Sequence, residues 1–127
     1  MKVLKNATVL IVDDNEANIY ALRSYLETAD LKIEAALNGK EAIDLLLSGK
    51  NVDIILLDMM MPVMDGYETL DVLRNSEALK HIPVVALTAK AMKGDKEKCL
   101  KAGAWDYISK PVNLKVLMDI ITHWVAK

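Results

Sequence analysis

The chain has 127 residues, of which 53% are hydrophobic and 27% charged, a balance typical of one globular domain and not of a disordered segment. Its formal net charge of -2, without a block of Lys or Arg, argues against direct binding to nucleic acid. No apolar run approaches the roughly 20 residues of a membrane helix, so we expect a single domain over residues 1–127 of a cytoplasmic protein that contacts no membrane.

Strand and helix signals alternate along the chain. A β-branched apolar run at 8–12 ends abruptly in two aspartates and an asparagine, as a buried strand does when it meets a helix cap. Other apolar runs predict further strands, and apolar residues recurring at i, i+3, i+4 and i+7 predict helices. The predicted strands are 8–12, 31–37, 52–57, 83–87 and 106–109. The predicted helices are 16–28, 67–75 and 91–102, with two more around the apolar stripes 42–47 and 117–124.

Strand-then-helix units with short connections predict parallel pairing, with helices covering both faces of the sheet. The right-handed crossover rule favours a doubly wound open sheet for this pattern. We therefore expect an α/β fold: a doubly wound, five-stranded parallel sheet with five helices, flavodoxin-like, in strand order 2-1-3-4-5. The first, third and fourth strands are continuously apolar or nearly so, and this places them at the centre, where both faces are buried.

Polar side chains follow the strands at one edge of this predicted sheet. Asp13 and Asp14 come after the first strand, Asp58 after the third, Thr88 after the fourth and Lys110 after the fifth. Doubly wound sheets bind ligands beyond the carboxyl ends of their strands. Three carboxylates held together repel one another unless a cation neutralises them. Two or so carboxylates completed by water suit Mg2+ better than Ca2+, so the edge predicts a magnesium site.

Asp58 has the position of a nucleophile in this predicted site. A carboxylate can attack phosphorus and form an aspartyl phosphate. Phosphoryl transfer needs an in-line donor and positive charge near the phosphoryl oxygens, which Mg2+ and Lys110 would supply. Thr88 would then hydrogen-bond the attached phosphate. The residues alone predict a magnesium-dependent site that accepts a phosphoryl group on Asp58.

Four stretches together carry a resemblance to a known family. VLIVDDN at 9–15, ILLDMMMPVMDG at 55–66, VVALTA at 84–89 and DYISKP at 106–111 resemble the receiver domains of two-component response regulators, nearly end to end and in the same order. The resemblance implies a phosphorelay switch that takes its phosphoryl group from a phosphohistidine on a histidine kinase or a histidine phosphotransfer protein. It implies catalysis only of the domain's own phosphorylation and dephosphorylation. We expect no output domain after the last helix.

The resemblance also assigns roles at the metal and phosphate site. It implies that Asp58 is the phosphoacceptor and that Lys110 pairs with the phosphate. Asp14 would ligate Mg2+ directly, Asp13 through water and Met60 through its backbone carbonyl, together with Asp58 itself. Mn2+ is expected to substitute for Mg2+.

A second group of roles concerns the switch. The resemblance implies that Thr88 moves toward the phosphate, that Tyr107 swings inward, and that the surface of helix 4, strand 5 and helix 5 changes its partner binding. It further implies a cis peptide bond between Lys110 and Pro111. Helix 4 has few apolar residues, and such marginal stability suits a movable element. Its Cys99 is expected to be a small half-buried thiol.

Two positions depart from the family pattern. Met60, two residues after Asp58, and Lys90, two after Thr88, flank the route of an attacking water. Bulky Met60 should obstruct that water, so we expect dephosphorylation that is not among the fastest. A haloacid-dehalogenase-like phosphatase would need a second aspartate where Met60 stands. A degenerate receiver that only binds proteins remains a second alternative, and a free-standing regulator and a hybrid-kinase receiver both fit the sequence.

Overall fold

The computed structural model describes residues 6–61, 64–88 and 95–125. Within these ranges strands and helices alternate strictly. The strands are β1 (Thr8–Val12), β2 (Lys32–Ala36), β3 (Ile54–Asp58), β4 (Val84–Thr88) and β5 (Asp106–Ser109). The helices are α1 (Glu16–Glu27), α2 (Gly39–Leu47), α3 (Gly66–Arg74), α4 (Asp95–Ala102) and α5 (Leu114–Val125).

All five strands pair in parallel, in the order β2-β1-β3-β4-β5. The predicted fold class and strand order are therefore confirmed. β3 and β4 are buried along their whole length, and β1 is buried except at its first residue. The edge strands β2 and β5 are only partly buried. Continuous apolar sequence thus marks the central strands, which are covered by helices on both faces.

The side chains of each central strand are divided between two separate core layers. Leu10 and Val12 of β1 point into a layer with α2, α3 and α4, whereas Val9 and Ile11 point into a layer with α1 and α5. This follows from the strand geometry, in which successive side chains face opposite sides of the sheet. The sheet is consequently held between two apolar layers, and its strand ends are presented together at one edge.

Side-chain caps begin the first three helices soon after the strands end. Asn15 caps α1, Asn38 caps α2 and Asp65 caps α3, each accepting a backbone N–H from the first turn. Asp65 also forms a reciprocal capping box with Glu68. Because the caps satisfy donors that a helix start leaves unpaired, they fix the positions at which α1, α2 and α3 begin.

Several predicted details differ from the structure. β3 begins at Ile54 and includes Asp58 as its last residue, so the carboxylate belongs to the strand itself. The described part of α4 begins at Asp95, and the predicted residues 91–94 lie outside the described ranges. Cys99 is fully buried, not half-buried, because it points from α4 into the core layer of the sheet. In the described parts of the chain, no helix is long and apolar enough to cross a membrane.

Candidate functional site

The carboxyl ends of β1, β3, β4 and β5 form a rim that gathers the predicted site residues. Asp58 ends β3 and Thr88 ends β4, while Asp13 directly follows β1 and Lys110 directly follows β5. The backbone N–H of Asp13 donates to Ala36 O at 3.1 Å, which continues the sheet pairing one residue beyond β1. The parallel register therefore brings together side chains that are far apart in sequence.

Three carboxylates lie side by side at this rim. Asp13, Asp14 and Asp58 each offer one oxygen, and these oxygens lie within 4.8 Å of one another. Asp13 is 1% exposed and Asp58 3% exposed, whereas Asp14 is open to solvent. The Lys110 Nζ lies 3.7 Å from Asp13 Oδ2 and 3.6 Å from Asp58 Oδ1. One ammonium thus faces two buried carboxylates, and a third negative charge lies beside them.

The Asp58 carboxylate is held in an environment that disfavours its charge. Burial raises the pKa of Asp58, and the nearby charges of Asp13 and Asp14 raise it further. The backbone N–H of Met60, which donates to Asp58 Oδ1 at 3.0 Å, and the charge of Lys110 both lower it but do not compensate. Additional positive charge at the three carboxylates would relieve this penalty.

Local hydrogen bonds set the orientation of Asp13 and Lys110. Asp13 Oδ1 accepts the backbone N–H of Asn15 at 2.9 Å, and its Oδ2 accepts from Asn18 Nδ2 at 3.4 Å. The backbone N–H of Lys110 donates to Thr88 O at 2.7 Å. The Lys110–Pro111 peptide bond is cis. The supporting role of Asn18 was not predicted, although its position one helical turn after Asn15 places it on the same side of α1.

Thr88 and Tyr107 lie at neighbouring strand ends. Thr88 is buried, and its Oγ1 has no hydrogen-bond partner among the described residues. Tyr107 is partly buried and packs against the core layer under α2, α3 and α4. A buried hydroxyl without a partner costs free energy unless a ligand satisfies it. The movements expected of these two side chains remain predictions.

The methionines after Asp58 separate into inward and outward positions. Met59 and Met61 are buried in the core, whereas Met60 is 68% exposed beside the rim. Core packing explains Met59 and Met61, as their apolar side chains suggest. The ligand role of the Met60 carbonyl stays a prediction, and Lys90, the other departure from the family pattern, lies outside the described residues.

A groove of about 380 Å³ opens next to the acidic cluster, between α1 and the β5–α5 connection. The rim residues Asp13 and Lys110 border it. Its other walls are mostly apolar and come from α1, β4, the β5–α5 connection and the start of α5: Asn18, Ala21, Leu22, Leu87, Pro111, Val112 and Leu114. The sequence signal for this groove is the apolar pair Pro111 and Val112 after Lys110, which becomes informative only once α1 is known to face it.

The fold and the rim define a doubly wound α/β domain whose acidic site is built at the ends of its central strands. Residues 9–122 match the family model described as the response regulator receiver domain. The chain belongs to that family, and it is a receiver domain of two-component signalling, a signalling module and not a classical enzyme.

Two relatives show how differently such a domain is used. The chain is 40% identical over 125 residues to hybrid signal transduction histidine kinase I of Dictyostelium discoideum, with 94% of the chain covered. It spans only 7% of that protein's length. It is also 37% identical over 119 residues to the polar-differentiation response regulator DivK of Brucella anthropi, covering 94% of the chain and 96% of that regulator.

Two solved structures are similar over almost the whole chain. One is the receiver domain of a sensor histidine kinase from Pseudomonas aeruginosa with a magnesium ion coordinated in its active-site cleft, at 32% identity and a TM-score of 0.86, covering 96% of this chain and 99% of that one. The other is the receiver domain of the Saccharomyces cerevisiae response regulator Ssk1, co-crystallised with the histidine phosphotransfer protein Ypd1, at 34% identity and a TM-score of 0.87, covering 97% and 91%.

Proposed function

We propose that this receiver domain is a phosphoacceptor switch, in which Asp58 accepts a phosphoryl group from a phosphohistidine. The observation that carries the proposal is the buried Asp58 carboxylate, which lies at the end of a central strand, 3.6 Å from Lys110 Nζ and beside two further carboxylates. Burial of this cluster costs free energy. A cluster with such a cost is explained when the charges serve a reaction.

The donor set at the rim fits Mg2+. Asp13, Asp14 and Asp58 offer three carboxylate oxygens within 4.8 Å of one another, and the Met60 carbonyl would add a fourth oxygen. Hard divalent ions prefer such oxygen ligands, and Mn2+ would bind the same set. When bound, Mg2+ supplies positive charge to the phosphoryl oxygens during transfer. The similar receiver domain with magnesium in its active-site cleft supports this assignment.

The positions of the side chains support an in-line transfer to Asp58. An oxygen of Asp58 attacks phosphorus in line with the donor nitrogen, a P–O bond forms, and the P–N bond breaks. The histidine imidazole leaves with the electron pair of that bond and takes up a proton. Lys110, already paired with both buried carboxylates, would turn to neutralise a phosphoryl oxygen. The Thr88 hydroxyl would gain the acceptor that it lacks among the described residues.

The phosphoryl donor is a histidine kinase or a histidine phosphotransfer protein. The groove beside Lys110, with its largely apolar lining, offers such a partner a surface next to Asp58. The yeast complex of a related receiver with a histidine phosphotransfer protein supports this class of donor. The similarity to a hybrid histidine kinase supports a phosphorelay in general terms.

The output of the switch is a change in the surface formed by α4, β5 and α5. Phosphorylation adds roughly -1.5 to -2 charge and three acceptor oxygens, which draw Thr88 and Lys110 inward. Tyr107 then moves into the space that Thr88 leaves, and the population of two arrangements shifts. A partner that reads this surface should bind the phosphorylated form with a different affinity. Equal affinity for both forms would contradict this part of the proposal.

One experiment tests the acceptor role directly. The protein is incubated with Mg2+ and acetyl phosphate, and intact-protein mass spectrometry should show an adduct of about 80 Da, the mass of one phosphoryl group. The adduct should be absent with a chelator and in Asp58→Asn. Retention of the adduct in Asp58→Asn would show that another residue is the phosphoacceptor. No adduct on the wild type would favour the degenerate, binding-only module.

A further inference from the structure

Side chains at both ends of α3 contact α4 and form what we call the α3–α4 seam: Tyr67, Arg74, Lys98, Cys99 and Lys101. At the start of α3, Tyr67 Oη lies 3.7 Å from Cys99 Sγ, and Lys98 Nζ lies 4.8 Å from the centroid of the Tyr67 ring. At the end of α3, Arg74 Nη1 donates to Lys101 O at 2.9 Å. The seam takes no part in the chemistry at the rim.

Arg74 is fitted closely to the end of α4. The carbonyl of Lys101 belongs to the last turn of α4, where carbonyls have no partner within the helix. A guanidinium there satisfies the carbonyl and also interacts favourably with the negative end of the helix dipole. Gly103, at a φ of +121°, lets the chain pass close to Arg74, since a Cβ at this position would lie 3.1 Å from Arg74 Cδ. Arg74 therefore both caps α4 and packs on the turn that follows it.

Within its described residues, 95–102, α4 has few other attachments to the core. Cys99 is fully buried and Ala102 packs, partly buried, against the same core layer, while Lys96, Glu97, Leu100 and Lys101 are exposed. An element with few buried apolar contacts has a low free energy of local opening. The contacts of the seam consequently supply a large share of what fixes the position of α4.

We propose that the α3–α4 seam is the restraint that sets how readily the α4, β5 and α5 surface rearranges, with Tyr67 and Arg74 as positioning residues for α4. The inference rests on the proposed phosphoacceptor function, because it concerns the switch which that function requires. Contacts that hold α4 in the present arrangement lower the population of the alternative one. If the alternative accepts the phosphoryl group more readily, the apparent phosphorylation rate follows its population.

Three variants separate the parts of the seam. Arg74→Met keeps an unbranched chain over Gly103 but removes the donor to Lys101 O. Tyr67→Leu removes the ring and the hydroxyl, and Tyr67→Phe keeps the ring under Lys98 while removing the hydroxyl beside Cys99. Arg23→Met is the matched control, because Arg23 also donates to a backbone carbonyl, that of Ile33 at 3.5 Å, on the opposite side of the sheet.

The first measurement is amide hydrogen exchange of the unphosphorylated protein without any phosphoryl donor. In Arg74→Met and Tyr67→Leu, the amides of 95–102 should exchange about tenfold faster, which corresponds to about 1.4 kcal/mol of local opening free energy. Amides of the central strands should be unchanged. Tyr67→Phe should give a smaller increase, and Arg23→Met should leave α4 unchanged.

The second measurement is the initial rate of phosphorylation by acetyl phosphate with Mg2+, which should rise about threefold in Arg74→Met and Tyr67→Leu, in line with a larger acceptor-competent population. Unchanged exchange in α4, an equal change in Arg23→Met, or faster exchange spread over the whole chain would overturn the proposal. So would faster exchange in α4 without faster phosphorylation, which would make the seam purely structural. If the wild type forms no adduct at all, the proposed function fails, while the exchange data still decide whether the seam holds α4.

Discussion

Helix α4 is held on its face of the sheet in a different way from α1 and α5 on the opposite face. On one face, α1 and α5 insert fully buried apolar side chains, including Leu26 and Leu117. On the other, α4 buries Cys99, leaves Leu100 38% exposed, and depends on side-chain contacts with α3. Since the hydrophobic contribution to stability grows with the apolar area removed from water, α1 and α5 form a fixed frame and α4 is lightly attached. A switch can therefore move one helix without unfolding the rest.

The largest expected effect is a core truncation in α5. Leu117→Ala should lower the free energy of unfolding by about 2–5 kcal/mol, the range for a fully buried leucine that leaves a cavity. Leu100→Ala, the same change on α4, should cost no more than about 0.5 kcal/mol, as is usual for exposed positions. Urea unfolding followed by circular dichroism measures both. Similar losses for the two variants would remove the distinction between α4 and the helices of the opposite face.

The next largest expected effect is the gain in stability when Mg2+ binds at the rim. Mg2+ at a hundred times its dissociation constant stabilises a folded protein by about 2.7 kcal/mol when the unfolded chain does not bind it. We expect the wild type to gain stability in this way and Asp58→Asn, which lacks one carboxylate, to gain less. Thermal unfolding over a magnesium titration measures the gain. Equal gains in both proteins would exclude Asp58 from the metal site.

Asp58→Asn should also change how the stability of the protein depends on pH when a chelator removes metal ions. The folded-state pKa of Asp58 is raised, chiefly by burial, so the stability that this group contributes is present below its unfolded-state pKa and is lost as the pH rises through the folded-state pKa. Asp58→Asn should therefore be more stable than the wild type at neutral pH, and the difference should shrink as the solution is acidified. Urea midpoints over a pH series would reveal the trend. An Asn variant that is less stable at neutral pH would contradict it.

A substitution at Gly66 tests how tightly the segment after Asp58 is packed against α3. A Cβ at this position would lie 2.5 Å from Met59 Sδ and 2.6 Å from Met59 Cα, so Gly66→Ala should cost about 1–3 kcal/mol by overpacking. It should also slow phosphorylation, because Met59 adjoins Asp58. Gly49→Ala is the comparison: a Cβ there meets nothing within 4 Å, but the φ of +103° costs about 1–2 kcal/mol. Both variants should lose stability, and only Gly66→Ala should phosphorylate more slowly.

The smallest expected effect concerns the end of α5. Trp124 Nε1 donates to Asp106 Oδ2 at 3.0 Å, and the ring meets that of Trp105 edge to face at 5.2 Å between centroids. Trp124→Phe keeps an aromatic ring but removes the donor, and we expect a loss of about 1 kcal/mol. Amide exchange in α4 should not change, because this contact belongs to the fixed frame. Faster exchange in α4 would show that the two helices are coupled through β5.

The sequence predicted most of the fold and the composition of the rim. Apolar runs located the strands, and the rule that parallel strands present their carboxyl ends together placed Asp13, Asp58, Thr88 and Lys110 at one edge. The period of the apolar pattern and the order of the elements are enough for these predictions, because the central strands, buried on both faces, leave few alternative positions for their side chains.

Other features depended on distances that no pattern encodes. The position of Lys110 between two carboxylates and the pairing of Arg74 with Lys101 arise from contacts between separate elements. The complete burial of Cys99 was missed for the same reason, since the weak apolar stripe of α4 gives little indication of which side chain faces the sheet. Sequence patterns do not predict these features, because tertiary packing overrides local propensity.

The turn at Gly49 has a practical consequence. With a five-residue strand rising about 3.3 Å per residue, β3 separates this turn from the acidic rim by roughly the length of the sheet. A fluorophore or a fused reporter attached at an exposed neighbour of Gly49, and not at the glycine with its positive φ, would not touch the acidic cluster. The parallel sheet thus offers an attachment site for a probe at the end opposite the rim, so that signalling can be observed without disturbing the acidic cluster.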